Sequence, residues 1–549
     1  MTKYHHYPKN TFFLNSEVNK TFDEVLRMTI PEFNQWIIEV RAKIVDIWDN
    51  KGVPPVNGYS AEEIADQFNQ LCVHDVKQMI CKDELTGDFC IRNTHNKLGN
   101  AANSWFPTMM KTRINYGTSV PRSIYDYMAD PDLLKKYMPY ALRHFKRDSF
   151  YAYSRCVDLG ESLPTANTII PVDAVDWIKK FEQYEYTDRQ STKDRPAYDY
   201  WISEKDDEGE YTGYNEKIMS QKFLSLTHAE LLALEPIIPD YAMSNIKDWD
   251  PKSKYMIRLF EKGQRIFPVG LKSFRISMCQ YAVNYPPTMA KFIWEKYTEE
   301  FKKDSEIVVW DPSCGWGGRI IGAMAIECDR NVLYLGTDPN PDHTVYAGGL
   351  YDESNPPNCA LWTKYDDMAQ FFNDKTDRGH NLDPSNNSWK VWQSGSEVIQ
   401  NNPEFQKYKG KVSVVFTSPP YFHREEYSTD MNQSCHKFSA YDDWKNGFLY
   451  ETLKTAYEWL RPGGYICWNI GDIKEGKVFV PLEKDSKDIM TKLGFQYVET
   501  IKMVMGQMPG GNRTKKDSNG DLTSTNKNTV RVEGKFFRYE PIFVYRKPR

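Results

Sequence analysis

A compact apolar run, Ile307-Val308-Val309-Trp310, ends at Asp311-Pro312-Ser313-Cys314-Gly315-Trp316-Gly317-Gly318, and Arg319 to Ile326 then reads as a helix. Strand, glycine-rich turn and helix in that order form the nucleotide-type loop of doubly wound sheets. The glycines permit positive φ and let a ligand come close to the backbone. A short strand feeding directly into a helix commits the surrounding chain to α/β packing, with the strand buried on both faces.

The alternation continues. Val332 to Gly336 predicts a second strand, ending at Thr337-Asp338-Pro339. An acid there is placed to accept bonds from ribose hydroxyls, although Asp at that point is also a common helix N-cap. Trp389 to Gln393 predicts a third strand, followed by Ser394-Gly395-Ser396-Glu397. The fourth, Val412-Ser413-Val414-Val415-Phe416, runs into Thr417-Ser418-Pro419-Pro420-Tyr421-Phe422. Two adjacent prolines fix φ twice and remove two backbone donors, leaving their carbonyls free to accept. Ser418, the two aimed carbonyls and the Tyr421 ring suit a flat ring bearing an exocyclic amine. The same residues also make a plain Pro-Pro turn closing a strand. Between Asp311 and Ser418 there is room for three βα units of roughly thirty residues each.

Upstream, Asn284-Tyr285-Pro286-Pro287-Thr288 leads into a helix through Tyr297, with Pro287 in its first turn. Downstream, Trp444 to Leu460 reads as a helix, Tyr465 to Asn469 as a strand, and Tyr497 to Met505 and Pro541 to Tyr545 as the last two strands. Between those two lies a net-basic polar insert, Gly506 to Lys535, placed to grip a phosphate backbone or to remain a surface loop.

The first half is less regular. Residues from about 20 to 160 read mostly helical, with Ser60-Ala61-Glu62-Glu63 as a capping box. Asp206-Asp207-Glu208-Gly209 reads as a hairpin tip and Thr227 to Leu234 as a short helix. Arg92, His95, Lys97, Asn100, Asn103, Trp105, Lys111, Arg113 and Tyr116, then Arg143 to Arg147, mix basic groups, amides and aromatics. Such a stretch suits phosphates and bases, and equally a solvated helical face. The strand–helix alternation begins after residues 255–270. Residues 1–265 therefore form a mainly helical region, a candidate for target recognition, and 266–549 an α/β domain of the doubly wound, Rossmann-like kind.

With 549 residues, 40% hydrophobic and 26% charged, the chain has an ordinary globular composition and length for two or more domains. The net charge of −5 requires any nucleic-acid contact to use a local basic surface. No apolar run is long enough to span a bilayer. The opening Met1-Thr-Lys-Tyr-His-His-Tyr-Pro8 lacks a signal peptide's apolar core. The ten cysteines include no Cys-x-x-Cys pair, which argues against a common zinc site and a disulfide framework. The expectation is a cytoplasmic protein without a membrane partner or a metal.

Three features then coincide in order: Asp311 to Gly318, Asp338 after the next strand, and Thr417-Ser-Pro-Pro-Tyr421. Over residues 266–549 the chain resembles the amino-methylating DNA methyltransferases, which modify cytosine N4 or adenine N6 with S-adenosylmethionine. The resemblance implies a Rossmann-like methyltransferase sheet. It assigns cofactor binding to Pro287, Thr288, Asp311, Pro312, Cys314, Gly315, Gly317, Asp338 and Ser396, and catalysis to Ser418, Pro419, Pro420 and Tyr421. Where the family often has Gly-Asp-Ser after the third strand, this chain has Gly395-Ser396-Glu397.

The implied partner is DNA, a duplex with the target base flipped out. Ser418 Oγ and the Pro419 carbonyl would accept the amine hydrogens while Tyr421 stacks on the base. Serine before the prolines leans toward cytosine N4, with adenine N6 next. Cytosine C5 methylation would need a thiol in a Pro-Cys motif, and the chain has no such dipeptide. Two rival readings are an RNA base-amine methyltransferase and a nucleic-acid-binding protein that kept the fold and lost catalysis.

Overall fold

The structure, a computed structural model, describes residues 30–51, 60–93, 105–114, 121–130, 282–326, 330–345, 362–375, 388–475, 478–506 and 528–549, with a few short stretches besides. The chain divides into two compact units. One comprises Met1–Thr11, Gly58–Ser123 and Tyr281–Arg549; the other comprises Phe12–Asn57 and Ile124–Gln280. The division drawn at 265 from the sequence does not follow these units, because residues 58–123 belong with the α/β domain. In the second unit the described helices are Ile30–Lys51, with Pro31 in its first turn, and Ile124–Ala129. Arg41 joins them by donating to the Met128 carbonyl at 2.7 Å. The hairpin tip at 206–209, the helix at 227–234 and the basic run 143–147 lie outside the described residues.

The first unit is built on a ten-stranded sheet. Its strands are β1 (Ile80–Lys82), β2 (Phe89–Arg92), β3 (Ile307–Asp311), β4 (Val332–Thr337), β5 (Trp389–Trp392), β6 (Val412–Thr417), β7 (Leu460–Asn469), β8 (Gln496–Val504), β9 (Thr529–Val532) and β10 (Lys535–Arg546). Their spatial order is β1-β2-β8-β10-β7-β6-β3-β4-β5, with β9 on the free part of β10. The run from β5 to β7 is parallel; β10 is antiparallel to both β7 and β8.

Successive residues of a strand point to opposite faces, and the core divides accordingly. Val309 joins the cluster of Val414, Phe416, Tyr334 and Ile542, whereas Val308 and Trp310 join that of Val415, Leu335, Trp468 and Phe543. The first face is covered by α1 (Ala61–Val73), α2 (Pro287–Thr298), α3 (Gly318–Met324) and α4 (Lys364–Lys375), through Phe68, Ile293, Ile320 and Phe372 among others. The second is covered by α5 (Glu451–Trp459) and α6 (Leu482–Lys492), through Leu453, Trp459, Leu482 and Met490. Every residue of β3, β4 and β6 is buried, as strands enclosed on both faces must be.

The helix expected over 444–460 contains an internal π turn, Lys445–Tyr450, ahead of α5. The capping box starts α1: Ser60 Oγ accepts from Glu63 N at 3.2 Å, and Glu63 Oε2 from Ser60 N at 2.7 Å. The carboxyl end of α1 is held by buried Lys291 of α2, whose ammonium donates to the carbonyls of Leu71, Cys72 and His74 at 2.9–3.0 Å. Part of the 506–535 insert is ordered as strands: Thr514–Lys516 pairs with Leu522–Ser524, and β9 pairs with β10. Among the described residues no helix is long and apolar enough to cross a membrane, and no group of His, Cys, Asp and Glu could hold a metal ion.

Candidate active site

Strands β3 and β6 are hydrogen-bonded neighbours, with Val415 beside Trp310. Chain order reverses here, because β4 lies on one side of β3 and β6 on the other. Such a switch point leaves a crevice outside the carboxyl ends of the strands. The glycine loop leaves β3 and the Ser418 turn leaves β6 at this crevice, within a strand spacing or two of each other, roughly 5–10 Å.

The loop after β3 is braced from every side. Asp311 is fully buried, and its Oδ2 accepts from Arg319 Nε and Tyr334 Oη, both at 2.8 Å. Its Oδ1 accepts from Ser313 N at 3.2 Å. The carboxylate is thus occupied in holding the loop rather than facing a ligand. Pro312 and Cys314 tie the loop to β4: Thr337 Oγ1 donates to the Pro312 carbonyl at 2.7 Å, and Cys314 N to the Thr337 carbonyl at 2.9 Å. The Cys314 side chain is packed away, and burial pushes its thiol well up. It contributes backbone, not sulfur chemistry.

Gly315 and Gly317 have φ of +58° and +77°, a region in which a side chain is strained. Gly315 N donates to Asp338 Oδ2 at 2.9 Å, and Tyr365 Oη donates to the Gly315 carbonyl. Asp338 Oδ1 accepts from Asn340 N at 3.0 Å and lies 3.3 Å from His343 Nδ1. Because Tyr365 gives its hydrogen to Gly315, His343 Nδ1, 2.8 Å from Tyr365 Oη, is the donor of that pair. The Asn340 amide sits 3.3 Å from Nε2. Asn284 clasps the far end of the loop, donating to the Trp316 carbonyl at 2.7 Å and accepting from Gly318 N at 3.2 Å.

These residues fit an adenosyl-type cofactor. A Cβ on Gly317 would meet Met368 Cε at 2.6 Å and Phe106 at 3.0 Å, so the glycine is what lets these side chains pack against the loop. Pro287 and Thr288, in the first turn of α2, are buried, and Thr288 Oγ1 has no hydrogen-bond partner. Ser396, like Asp311, has its side chain turned to other protein groups. Its hydroxyl is buried at 2.9 Å from Thr452 Oγ1 of α5, so its side chain is committed to the helix behind the strand.

The Ser418 turn leaves Thr417, whose buried Oγ1 also lacks a partner. Among the described residues nothing donates to the carbonyls of Ser418, Pro419 or Pro420. Tyr421 Oη donates to Glu540 Oε1 at 2.6 Å and lies 3.4 Å from the Asn469 carbonyl. Burial, then the Glu540 charge, pushes the Tyr421 phenol well above its usual range. Burial likewise pushes the Glu540 carboxyl up, against the bond from Tyr421. Phe422 follows with φ of +48°, a strained backbone for a bulky residue, held by packing on His423, Tyr441 and Trp444.

Residues 58–123 reach this site. Phe106 packs on His343 and Tyr365, each ring centroid at 5.1 Å. Arg113–Ile114 pairs antiparallel with Glu425–Glu426, just past the Ser418 turn. Trp105 is fully buried against Phe371 and Phe372, so it is core and not a base-stacking surface. Arg92 and Arg113 are ion-paired with Glu533 and Glu426 at 2.8 and 3.4 Å. Phe106, His343 and Tyr365 have no motif around them, and only the tertiary structure brings them to the site. Arg319 directly follows Gly318, a local signal for a partner to Asp311.

Residues 412–549 match the N6/N4 methyltransferase family described as DNA methylase. This stretch runs from β6 and the Ser418 turn through β10. No curated protein matches the chain. Similar solved structures include a protein of Thermus thermophilus assigned as a DNA modification methylase, complexed with S-adenosyl-L-methionine. It is 21% identical over 28% of this chain and 54% of its own, with a TM-score of 0.19. TrmN, also from Thermus thermophilus, is 12% identical over 48% of each chain, TM-score 0.23. A class I S-adenosylmethionine-dependent methyltransferase of Listeria monocytogenes is 14% identical over 60% of this chain and 76% of its own, TM-score 0.26. The chain spans about half the length of the Thermus modification methylase it matches. The strand order and the glycine loop are those of a doubly wound, Rossmann-like sheet.

Proposed function

We propose that the chain is a DNA methyltransferase that methylates an exocyclic base amine, cytosine N4 in preference to adenine N6. The observation that carries the reading is the pair of loops leaving adjacent strands: a glycine loop with positive φ at Gly315 and Gly317 beside a Ser-Pro-Pro-Tyr turn with free carbonyls. The family match over 412–549 supports the base-amine chemistry and DNA as substrate.

S-adenosylmethionine, when bound, supplies an electrophilic methyl group on a sulfonium. The Gly315–Gly318 backbone and the first turn of α2 would hold it, and Asp338 would hold its ribose hydroxyls. Asp311 and Arg319 keep the loop in shape without touching it. Ser418 Oγ and the Pro419 carbonyl accept the two hydrogens of the amine, which favours the tetrahedral nitrogen whose lone pair can react. Tyr421 stacks on the flipped base, with its ring fixed by the bond to Glu540. Positioning does most of the catalytic work.

The test is transfer of labelled methyl from S-adenosylmethionine to duplex DNA and to RNA side by side, using the wild type and Ser418→Ala. Label in DNA, lost in Ser418→Ala with cofactor affinity nearly intact, is the expected result. Label in RNA alone, or activity retained in Ser418→Ala, would overturn it.

A further inference from the structure

Cys81 and Cys90 stand nine positions apart in the chain, and the fold sets them face to face. They are directly opposed residues of the antiparallel pair β1–β2, whose connecting turn passes through Gly87 at φ of +78°. The Asp83 amide donates to the Asp88 carbonyl at 2.9 Å, so that pair is a hydrogen-bonded one. Pairs alternate along an antiparallel ladder, which makes Cys81 and Cys90, two positions further on, hydrogen-bonded as well, with Cα atoms about 5.5 Å apart. A disulfide takes that same Cα separation, most often about 5.5–6 Å. Opposed side chains of a strand pair share a face, and here the two sulfurs are already in contact at 2.9 Å.

The surroundings hold this register. β2 is bonded on its other side to Lys502–Val504 of β8, and Cys90 is fully buried against Val504, Val530, Val532 and Phe537. Cys81 lies on the edge strand and is partly exposed. The turn beyond the thiols is clamped: Asp83 accepts from Lys502 Nζ at 2.7 Å and from Arg531 N at 3.0 Å, and Lys502 Nζ lies 2.7 Å from Asp88. One thiol is thus reachable from solvent and its partner is sealed in the core, an attacking position beside a resolving one.

We infer that Cys81 and Cys90 form a reversible dithiol–disulfide site whose co-reactant is a small-molecule disulfide of the oxidised-glutathione class. Cys81, as thiolate, attacks one sulfur of the small disulfide. A mixed disulfide forms on Cys81, and one small thiolate leaves and takes up the proton that Cys81 gave. The Cys90 sulfur, having lost its own proton, then attacks the Cys81 sulfur. The Cys81–Cys90 bond forms, and the second small thiol leaves with the Cys90 proton. Two protein thiols are oxidised, and one small disulfide is reduced to two thiols. Burial pushes both protein thiols up, so their thiolates are scarce at neutral pH and the exchange is slow. The product cross-links the hairpin that carries Asp83 against β8 and β9.

The experiment brings the folded protein to equilibrium in glutathione buffers from fully reduced to fully oxidised. Free thiols are then alkylated and the tryptic peptides mapped by mass spectrometry without reductant. Circular dichroism confirms that the fold is kept. Cleavage after Lys77, Lys82 and Arg92 puts the two cysteines on separate peptides, residues 78–82 and 83–92. The oxidised protein should give these two peptides joined, lighter by two hydrogens than their sum, and dithiothreitol should part them. Cys81→Ser and Cys90→Ser should each abolish the joined product, and Cys90→Ser should retain glutathione on Cys81. Both peptides still alkylated in the most oxidising buffer, or joined only when urea is present, would overturn the inference. Neither result involves methyl transfer, so the thiol pair is judged separately from the proposed reaction.

Discussion

A Cβ on Gly318 would lie 2.0 Å from the backbone oxygen of Tyr285. No side chain fits there, and the bare backbone lets Asn284 and Tyr285 lie across the cofactor loop. Gly318→Ala forces the two segments apart, with nothing flexible to yield. It is expected to cost about 3 kcal/mol and to weaken S-adenosylmethionine binding together with stability. Urea unfolding and calorimetric titration check both; an alanine variant with wild-type values in each would show that this contact is not needed.

Asp338 contributes to the cradle before any ribose arrives, because it accepts the Gly315 amide. Asp338→Ala removes both that acceptor and the proposed ribose partner. The dissociation constant for S-adenosylmethionine should rise about tenfold to a hundredfold. Tyr365→Phe, which frees only the Gly315 carbonyl, should have the smaller effect. Equal affinities for wild type and Asp338→Ala would remove Asp338 from the cofactor site.

Lys291 joins the carboxyl end of α1 to the α/β domain by capping the carbonyls of Leu71, Cys72 and His74 from a buried position. Lys291→Met keeps the length of the side chain but leaves those carbonyls unpaired, at a cost of about 2–3 kcal/mol. The denaturation of this unit should stay a single transition at lower denaturant, because residues 58–123 are part of the same body. A separate early transition would show that they fold apart from it.

Asp83 is fully buried and accepts from Lys502 Nζ at 2.7 Å and from Arg531 N at 3.0 Å. Burial pushes its carboxyl up, but the bonds from Lys502, Arg531, Leu85 and Thr86 together outweigh that and hold it below the usual 3.8. The folded state therefore binds fewer protons than the unfolded one below that value. The Asp83 contribution is present in full above 3.8 and is lost as pH falls through the lower folded value. Asp83→Asn should cost about 3 kcal/mol at pH 7, and the gap to wild type should narrow on acidification below 3.8. Urea unfolding across that range checks it; a gap that is constant with pH would contradict the assignment.

The features legible in the sequence are those written locally. β3, β4 and β6 are short apolar runs, β-branched in β3 and β6, and the glycine loop lies within a dozen residues. The parts that escaped are held by pairings between distant stretches. β2 is four residues long and joins the rest of the sheet by lying beside Lys502–Val504 of β8, which no local pattern marks. Phe106 has no motif, yet it touches the glycine loop. Trp105 shows the converse: beside basic groups it resembled a stacking aromatic, but tertiary packing made it core. Ser396 sat where the family places a cofactor contact, and the nearby Thr452 takes its hydroxyl instead. The Ser418 turn was legible as a rigid turn of free carbonyls. The Glu540 partner of its tyrosine comes from a strand more than a hundred residues later.

The central claim is methylation of a base amine, and the direct measurement is mass spectrometry of nucleosides from duplex DNA incubated with the protein and S-adenosylmethionine. The proposed function predicts N4-methylcytosine, or N6-methyladenine as the next outcome, with neither formed by Ser418→Ala. 5-Methylcytosine, methylated nucleosides in RNA only, or none in either nucleic acid would contradict the account.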